Sequence, residues 1–224
     1  MRGFGLTAAT AVIAVALCLA GCPNKPSHES VSVKLDTLTD RRDGKTYKTV
    51  TIGRQTWTAE NLNYQTPSGS WCYDSIKSNC NYYGRLYDWN TARKSCFSGW
   101  HLPTKQDWDS LGKALGSAGE PDEEGNVNWY GLGKKLKAIN CWYDSGDGLK
   151  NKYGFSAMPG GVRLHDRNRF INSGYVGFWW TSTEYNNYGG DSAYFWNIRH
   201  DNDIASELHG DKNHGMSVRC RRDD

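Results

Sequence analysis

Five cysteines spread over residues 72–220 constrain the fold of this chain more than any other feature of its sequence. The chain contains seven cysteines, and two of them lie in the apolar N-terminal segment. The other five are Cys72, Cys80, Cys96, Cys141 and Cys220. None of their spacings is a Cys-x-x-Cys pair, which argues against a structural zinc site. In an oxidising compartment they would pair as disulfides, and because five is odd, at least one would stay unpaired or pair outside the chain.

The N-terminal segment predicts export. Arg2 is its only charge, and an apolar run extends from about Leu6 to Leu19. This run is shorter than the roughly 20 residues of an ordinary membrane span and is typical of a signal-peptide core. It ends in Leu-Ala-Gly-Cys at residues 19–22, which resembles the bacterial lipobox. The resemblance implies cleavage before Cys22 and acylation of its thiol and new amino group; an ordinary secretory signal with a chance cysteine is the alternative.

A lipid anchor would determine where the protein works. One acyl chain alone holds weakly, but each buried CH₂ group contributes about 0.8 kcal/mol, so the two or three chains that the resemblance implies would anchor the protein durably. Pro23 follows the cysteine, and in Gram-negative bacteria this resembles an outer-membrane sorting pattern. We therefore expect an exported protein that is attached to membrane lipid through acylated Cys22, in the cell envelope and at the outer membrane.

Composition predicts one domain behind a short tether. After the signal peptide of residues 1–22, residues 23–38 are polar and contain Pro and Ser, which is typical of a linker. Residues 39–224 are enough for one domain with a sizeable core. The formal net charge is only +3, with both signs interspersed, so nucleic acid is not an expected partner. Ten Trp, thirteen Tyr and 25 Gly with little helical pattern indicate a loop-rich α+β domain.

The first half of the domain carries the helical signals. Alternation over 46–62, with a turn at Gly53-Arg54, predicts a β-hairpin. Apolar residues three and four apart predict a helix over 84–96. Thr104 and Asp107 form an acidic variant of the capping box, which predicts that the next helix begins here and ends at Gly116. A short helix is expected over 132–139.

The rest of the domain is predicted to be loops and strands. Cys72 and Cys80 bound a polar loop, and a bridge between them would stabilise the fold by roughly 2–3 kcal/mol. An acidic, Gly-rich insertion covers 116–130, and a long loop covers 141–161. Short strand-like runs separated by turn residues then predict antiparallel hairpins and a terminal β-meander. These runs are 169–172, 176–183, 193–199, 203–208 and 216–222.

Several segments together resemble one family of bacterial domains. The stretches "DGKTYKTVTIGRQTWTAENLNY", "YYGRLYDWNTARKSC", "GWHLPTKQDWDSL", "YGFSAMPGGVR", "FWWTSTE" and "SVRCRRD" are similar to the Fibrobacter succinogenes major paralogous domain over nearly all of 39–224. This resemblance implies an exported bacterial protein, often a lipoprotein, of largely uncharacterised function. More distantly, the Trp-x-x-Ala-x-x-x-Cys pattern at 89–96 and "HLPTKQDW" resemble the C-type lectin-like fold, including formylglycine-generating enzyme-like domains. That fold implies an α+β domain of two to three helices, an antiparallel sheet and long loops.

The lectin-like resemblance also suggests a cysteine pairing. It implies a bridge between Cys96 and Cys220, which would stabilise by about 4–5 kcal/mol in the chain-entropy model. Cys141 would then be the free thiol, either buried or exposed and able to form a dimer. Cys96 could act as a nucleophile with His101 as its base only if Cys96 were a thiolate. We favour the other interpretation, in which Cys96 forms a disulfide and His101 lies in a turn. Formylglycine-generating enzymes use a cysteine pair in their C-terminal part, where Cys220 stands alone.

Two groups of residues are candidate binding residues. Asp144, Asp147 and Asn151 lie on a Gly-rich loop that could supply oxygen ligands to calcium, although a plain solvated loop is the stronger interpretation. Aromatic residues on and near the later strands could form a platform for sugars, although each tryptophan taken alone is more typical of the core. These aromatic residues are Trp179, Trp180, Tyr185, Tyr188 and Trp196. The calcium-dependent lectin motifs themselves are absent from the sequence.

The sequence therefore predicts a non-catalytic domain for binding or adhesion. The expected ligand is a polysaccharide or an envelope protein, held by the loops 144–151 and 185–191. No cofactor is expected, apart from the calcium considered above. An enzyme of the formylglycine-generating type or a related oxidase is one alternative, and a purely structural envelope protein is another.

Overall fold

A computed structural model describes residues 31–144, 151–186 and 189–224. The lipobox with Cys22 lies outside these residues, as do Asp147 and Tyr188. Within the described ranges, no helix has the length and apolar character that crossing a membrane requires.

The described residues form fifteen strands and four α-helices, with a 3-10 turn at Tyr73–Ser75. The strands are β1 Val33–Thr39, β2 Thr46–Ile52, β3 Gln55–Thr58, β4 Ser70–Trp71, β5 Leu86–Tyr87, β6 Trp100–His101, β7 Gly119–Pro121, β8 Val127–Trp129, β9 Gly160–Leu164, β10 Arg169–Ser173, β11 Val176–Tyr185, β12 Ser192–Arg199, β13 Ala205–Asp211, β14 Met216–Ser217 and β15 Arg221–Arg222. The helices are α1 Lys77–Tyr83, α2 Trp89–Ala92, α3 Lys105–Ala114 and α4 Leu132–Leu136.

The strands form two sheets. The smaller sheet has the order β1-β2-β3-β15-β6 and is antiparallel throughout. The larger sheet has the order β4-β5-β14-β11-β12-β13-β8-β7, with β9 beside β11 and β10 beside β9. Strands β11, β12 and β13 pair in sequence as antiparallel neighbours, which confirms the expected meander. The domain is thus a mixed one with few, short helices and mainly antiparallel sheets, and it is richer in strands than the sequence suggested.

Two local sequence signals produced the expected elements. Gly53 has φ of +60° and opens the two-residue loop between β2 and β3; this positive φ favours glycine and matches the twist of a tight hairpin. The Thr104 hydroxyl accepts a hydrogen bond from the Asp107 amide, and the Asp107 carboxylate accepts one from the Thr104 amide. This reciprocal box satisfies amides at the start of α3 that have no partner within the helix.

The helix expected over 84–96 is wrong. Only Trp89–Ala92 is α-helical, and Asp88 caps it by accepting from the Thr91 amide. Leu86 and Tyr87 instead form β5, which pairs with β4 on one side and β14 on the other. These long-range pairings outweigh a local apolar period that also fits a helix.

The tether expected over 23–38 is wrong in its last part, because Val33–Thr39 forms edge strand β1. This strand pairs along its whole length with β2. Its side chains are mainly exposed, so the backbone pairing, and not an apolar face, holds it on the sheet. The polar composition correctly predicted that these side chains are exposed, but it did not predict that the backbone pairs with β2.

The core is built from tryptophan. Eight of the ten tryptophans are buried: Trp57, Trp89, Trp108, Trp129, Trp142, Trp179, Trp180 and Trp196. Trp108 of α3 stacks on Trp196 of the larger sheet, with ring centroids 5.2 Å apart. It also contacts Trp57 of the smaller sheet at 4.9 Å. A single indole from α3 therefore packs against both sheets.

Two disulfides close the domain. Cys72 is bonded to Cys80, and Cys96 is bonded to Cys220 across 124 residues of sequence. Cys141 is free. The second bridge ties the segment after α2 to the segment between β14 and β15.

Candidate functional site

The three tryptophans proposed for an aromatic platform do not lie on the surface. Trp179, Trp180 and Trp196 are all 0% exposed, so the expectation of a sugar platform at these positions is wrong. Trp179 and Trp180 are consecutive in β11 and point to opposite faces of the sheet. Both faces are covered, because Trp179 packs with Trp196 in one apolar cluster and Trp180 packs in the other. Tyr185 is half-buried and stacks on His209 with ring centroids 3.7 Å apart.

The two described residues of the expected calcium loop do not converge on an ion site. Asp144 is exposed. The Asn151 side chain donates to the Ser156 hydroxyl at 2.7 Å and accepts from the Ser156 amide at 3.0 Å, so it is engaged in fixing its own loop. Among the residues that the structure describes, no group of three or more His, Cys, Asp or Glu side chains is placed to hold a metal ion.

Cys96 and His101 do not form a nucleophile and its base. The Cys96 sulfur is bonded to Cys220. The His101 ring lies between two carboxylates, with Nδ1 2.5 Å from Asp223 and Nε2 3.3 Å from Asp107. Because Asp107 also caps α3, this histidine links the start of that helix to the segment after β15.

Two cavities of about 470 Å³ and about 480 Å³ lie beside β2. Both are lined by Lys48, Ala59, Asn151 and Ser156, so they are neighbours on the surface. We call the two cavities together the groove. Asn151 is thus the one residue of the predicted binding loop that the described structure places in the groove wall.

Exposed apolar side chains line this groove at several points. Tyr82 and Tyr83 of α1 lie in the first cavity with ring centroids 4.7 Å apart and planes nearly perpendicular. Tyr82 is 53% exposed and Ile139, in the same wall, is 48% exposed. Leu35 lies in the second cavity. Such rings and aliphatic groups offer a ligand apolar contact area that the fold itself does not use.

Polar groups are interspersed with these side chains. The Glu60 carboxylate accepts from the Lys48 amide at 2.8 Å. The Lys45 ammonium donates to the Asn63 carbonyl at 2.5 Å. Both residues line the first cavity, together with Lys48 and Asn63. The groove therefore presents amide, ammonium and carboxylate groups beside aromatic ones, which is the composition of a site that orients a polar ligand.

A buried arginine holds the floor of the groove. Arg219 is 0% exposed and donates to neutral oxygens only: the Asn61 side chain and the carbonyls of Thr58, Phe155 and Ser156, at 2.5–2.9 Å. Burial lowers the pKa of Arg219 to about 9, so it still carries its charge at neutral pH. Asn61 in turn donates to the Tyr83 carbonyl at 2.8 Å. The arginine thus fixes Asn61 and Ser156, two residues that line the cavity.

The free thiol lies close to this floor. Cys141 is half-buried and packs against the apolar cluster that contains Trp57, Trp108, Trp129 and Trp196, which we call the tryptophan cluster. Burial raises the pKa of the Cys141 thiol to about 11, and the Arg219 charge offsets this only in part. At neutral pH the sulfur is therefore a protonated thiol of low reactivity.

Comparison with protein families shows to which family the chain belongs. A family model of the Fibrobacter succinogenes major domain matches residues 50–222. The chain belongs to this family. No curated protein and no solved structure matches it. Within the match to the Fibrobacter succinogenes major domain lie the floor residues Asn61 and Arg219 and the tyrosines Tyr82 and Tyr83, whereas the groove lysines Lys45 and Lys48 precede it.

Sequence reasoning missed the groove of this family member because its walls come from separate segments. Tyr82 and Tyr83 lie in a stretch interpreted as a loop, and the structure places them on α1. The neighbouring Cys80 was the available signal, because the Cys72–Cys80 disulfide fixes the helix that carries both rings. Arg219 gave no signal, since a single arginine in a strand-like run is usually exposed.

Proposed function

We propose that this protein is a non-catalytic glycan-binding protein of the cell envelope, with its ligand lying in the groove of Tyr82, Tyr83, Lys48 and Asn63. The observation that carries the proposal is the mixture of aromatic and polar side chains that line the first cavity, where Tyr82 is 53% exposed. A sugar ring has an apolar C–H face and a rim of hydroxyl groups. Tyrosine rings match the face, and amide, ammonium and carboxylate groups match the rim.

The shape of the groove favours a polymer over a single sugar. Two cavities of similar volume share Lys48, Ala59, Asn151 and Ser156 and are therefore neighbours. Successive units of an extended chain would occupy them in turn. The buried charge of Arg219 beneath the floor also favours hydroxyl or carboxylate oxygens over cationic groups above it.

The anchor and the fold complete the proposal. The Fibrobacter succinogenes major domain is a family of unknown function associated with the cell envelope, which supports export and lipid attachment through Cys22 at the outer membrane. The bridge from Cys96, just after α2, to Cys220, beside β15, supports a C-type lectin-like arrangement. The same bridge supports a binding role over formylglycine-generating chemistry, because neither sulfur is a free thiol.

Affinity electrophoresis tests the binding proposal directly. The full mature chain would be run through gels containing soluble polysaccharides of different linkage, and pulled down with peptidoglycan, each with calcium and with chelator. We expect at least one polymer to retard the protein. Replacing Tyr82 by Ala should weaken that interaction about tenfold, which corresponds to about 1.4 kcal/mol.

Tyr130 provides the matched control for this experiment. It is 55% exposed and lines neither cavity, so Tyr130→Ala should bind like the parent protein. Failure of every polymer to bind, or equal binding by the Tyr82 and Tyr130 variants, would refute the proposed groove.

The lipid anchor has its own test. Cys22→Ser should move the protein from the membrane fraction to the soluble fraction of its host, and mass spectrometry should find acyl chains on the unaltered protein only. A parent protein without acyl chains would contradict the anchor and leave the binding experiment unaffected.

A further inference from the structure

A pair of tyrosines forms an exposed shelf away from the groove. The rings of Tyr143 and Tyr175 stack with centroids 4.5 Å apart and an angle of 24° between their planes. They are 56% and 42% exposed. His200 stands edge-on to both rings, at 5.6 Å and 5.2 Å. We call Tyr143, Tyr175 and His200 the tyrosine shelf; none of the three lines either cavity of the groove.

Three hydrogen bonds hold the tyrosine shelf in one arrangement. The Tyr143 amide donates to the Gly174 carbonyl at 2.7 Å, and the His200 amide donates to the Tyr175 carbonyl at 2.8 Å. The His200 Nδ1 atom lies 3.1 Å from the Tyr143 carbonyl. Because a carbonyl only accepts, Nδ1 carries the proton, and Nε2 is the remaining polar atom of the ring. Three separate chain segments are therefore fixed to one another at the shelf.

A buried lysine supports these segments from below. Lys137 is 2% exposed, and its ammonium donates to the carbonyls of His200 and Asn202 at 3.3 Å and 2.7 Å. The same ammonium lies over the Trp142 ring at 5.3 Å. The residues next to Tyr143 and beneath His200 are thus anchored in the core. A rigid, exposed aromatic surface costs little ordering entropy when it binds a ligand.

The small area of the tyrosine shelf and the polar groups around it favour a small ligand over a protein. A stable protein interface buries about 800 Å² on each partner, far more than two phenol rings and an imidazole provide. The phenol hydroxyls and the His200 ring nitrogen supply polar groups at the edge of the rings. A small ligand with one apolar face and a polar rim fits such a surface.

We propose that the tyrosine shelf is a second glycan-binding site, on which the C–H face of a pyranose ring packs against the solvent-exposed side of the Tyr143–Tyr175 pair. The two phenol rings cover each other's facing sides, so the sugar contacts the outer face of one ring and the edge of the other. The sugar hydroxyls would meet the phenol groups and His200 Nε2. This inference stands apart from the groove, since the shelf needs no residue of the groove to form. Tyr143 follows Ile139 of the groove wall by four residues, which span at most about 14 Å, so one long polymer can reach both sites.

The test uses the full mature chain in affinity electrophoresis with a soluble β-glucan, a xylan and dextran as probes. We expect Tyr143→Ala and Tyr175→Ala each to weaken binding of at least one probe about tenfold. Tyr143→Phe keeps the ring and should stay within about threefold of the parent. Tyr130→Ala, at an exposed tyrosine outside both sites, should leave binding unchanged. Thermal unfolding of each variant checks that it is folded.

Each outcome separates the two sites. Loss in the shelf variants with normal binding by Tyr82→Ala supports the shelf and contradicts the groove, and the reverse result contradicts the shelf. Loss in both sets supports one polymer that contacts both. Equal binding of the parent and Tyr143→Ala to all three probes, or no binding by the parent, overturns the proposal. A change of mass in sedimentation caused by Tyr143→Ala without a change in glycan binding would also overturn it, in favour of a protein contact.

Discussion

Most tryptophans of this domain are buried, whereas its most exposed aromatic rings are tyrosines. Eight of the ten tryptophans are buried, and Trp108 joins both sheets through its contacts with Trp57 and Trp196. The aromatic residues with more than 40% exposure are all tyrosines within the described residues: Tyr82, Tyr130, Tyr143 and Tyr175. Two of them stack with each other and a third pairs with Tyr83 in the groove.

The difference follows from the chemistry of the two side chains. An indole has the larger apolar surface and gains most from burial, whereas a phenol combines an apolar face with a hydroxyl that tolerates water. Most rings of the core are therefore indoles, and the phenols inside it, Tyr47 and Tyr87, have hydrogen-bonded hydroxyl groups. The most exposed rings are phenols, and the proposed glycan binding depends on them.

The eight buried tryptophans are of two kinds. Four buried indole N–H groups donate to oxygens elsewhere in the domain: Trp89 to Thr181, Trp142 to Ala157, Trp179 to Asn61 and Trp180 to Tyr87. Four others make no hydrogen bond with any described residue: Trp57, Trp108, Trp129 and Trp196. The second group meets mainly other rings. It is held by packing alone, which makes it the most sensitive part of the core to a loss of volume.

The largest effect on stability is expected at the centre of the tryptophan cluster. Trp108→Ala removes the ring that contacts both sheets and should lower the free energy of unfolding by about 4 kcal/mol, through lost burial and the cavity left behind. Guanidinium denaturation measures it. Tyr130→Ala is the surface counterpart and should change stability by no more than about 0.5 kcal/mol. Similar losses of unfolding free energy in the Trp108 and Tyr130 variants would contradict the division between buried tryptophans that stabilise the fold and exposed tyrosines that do not.

A smaller loss of stability is expected where the tryptophan cluster has no space for an added atom. A Cβ atom added at Gly112 of α3 would lie 2.5 Å from the Trp129 ring. Gly112→Ala should therefore destabilise by about 2 kcal/mol through overpacking, although alanine is the better helix former. Lys113→Ala, at the next and exposed position of the same helix, should be nearly neutral. A stabilising Gly112→Ala would show that the cluster has spare volume.

The reactivity of the Cys141 thiol measures how well the core is shielded from solvent beside the groove. Burial raises its thiol pKa to about 11 from 9.0, so folding favours the protonated form. This contribution to stability is complete below pH 9 and is lost as the pH rises from 9 to 11. Alkylation by iodoacetamide at pH 8 should be about a hundredfold slower in the folded protein than in urea, because thiolate is the reactive form. Equal rates would place the thiol in solvent, beyond the influence of the core.

The smallest effect on stability is expected at the exposed tyrosines. Tyr82→Ala and Tyr143→Ala should change the free energy of unfolding by about 0.5 kcal/mol or less, because their rings cover little of the core. Chemical denaturation of the variants used for the glycan experiments provides the measurement. A loss above about 2 kcal/mol in either variant would mean that its ring supports the fold, and that a binding defect in it reports damage to the domain.

The sequence predicted the features that depend on neighbouring residues. Gly53 and the Thr104–Asp107 box act within a few positions, and the hairpin and α3 appear as expected. The error over 84–96 arose where Leu86 and Tyr87 pair with Met216 and Ser217, partners that a local pattern does not contain. The residues of β11 and β12 were correctly assigned to strands, but a local pattern did not show that both faces of β11 are covered at Trp179 and Trp180.

The candidate sites were harder to predict than the elements. The groove combines β2, α1 and the segment around Asn151, and the tyrosine shelf combines residues 143, 175 and 200. Neither set is close in sequence, and nothing in the local pattern around Tyr175 or His200 distinguishes it from an ordinary turn residue. The topology of the sheets brings them together. Exposed tyrosines can be recognised as binding residues only after the tryptophans have been assigned to the core.

The position of β15 has a consequence for the order in which the domain can be completed. This strand lies between β3 and β6 in the smaller sheet, yet it follows every other strand along the chain. Ribosomes release a polypeptide from its N-terminal side, so Arg219, Cys220 and β15 emerge after their partners. Until then the sheet has a gap, the groove has no floor and Cys96 has no partner sulfur. A nascent chain is therefore kept open by its own topology, and closure of the sheet, formation of the disulfide and assembly of the proposed binding surface coincide.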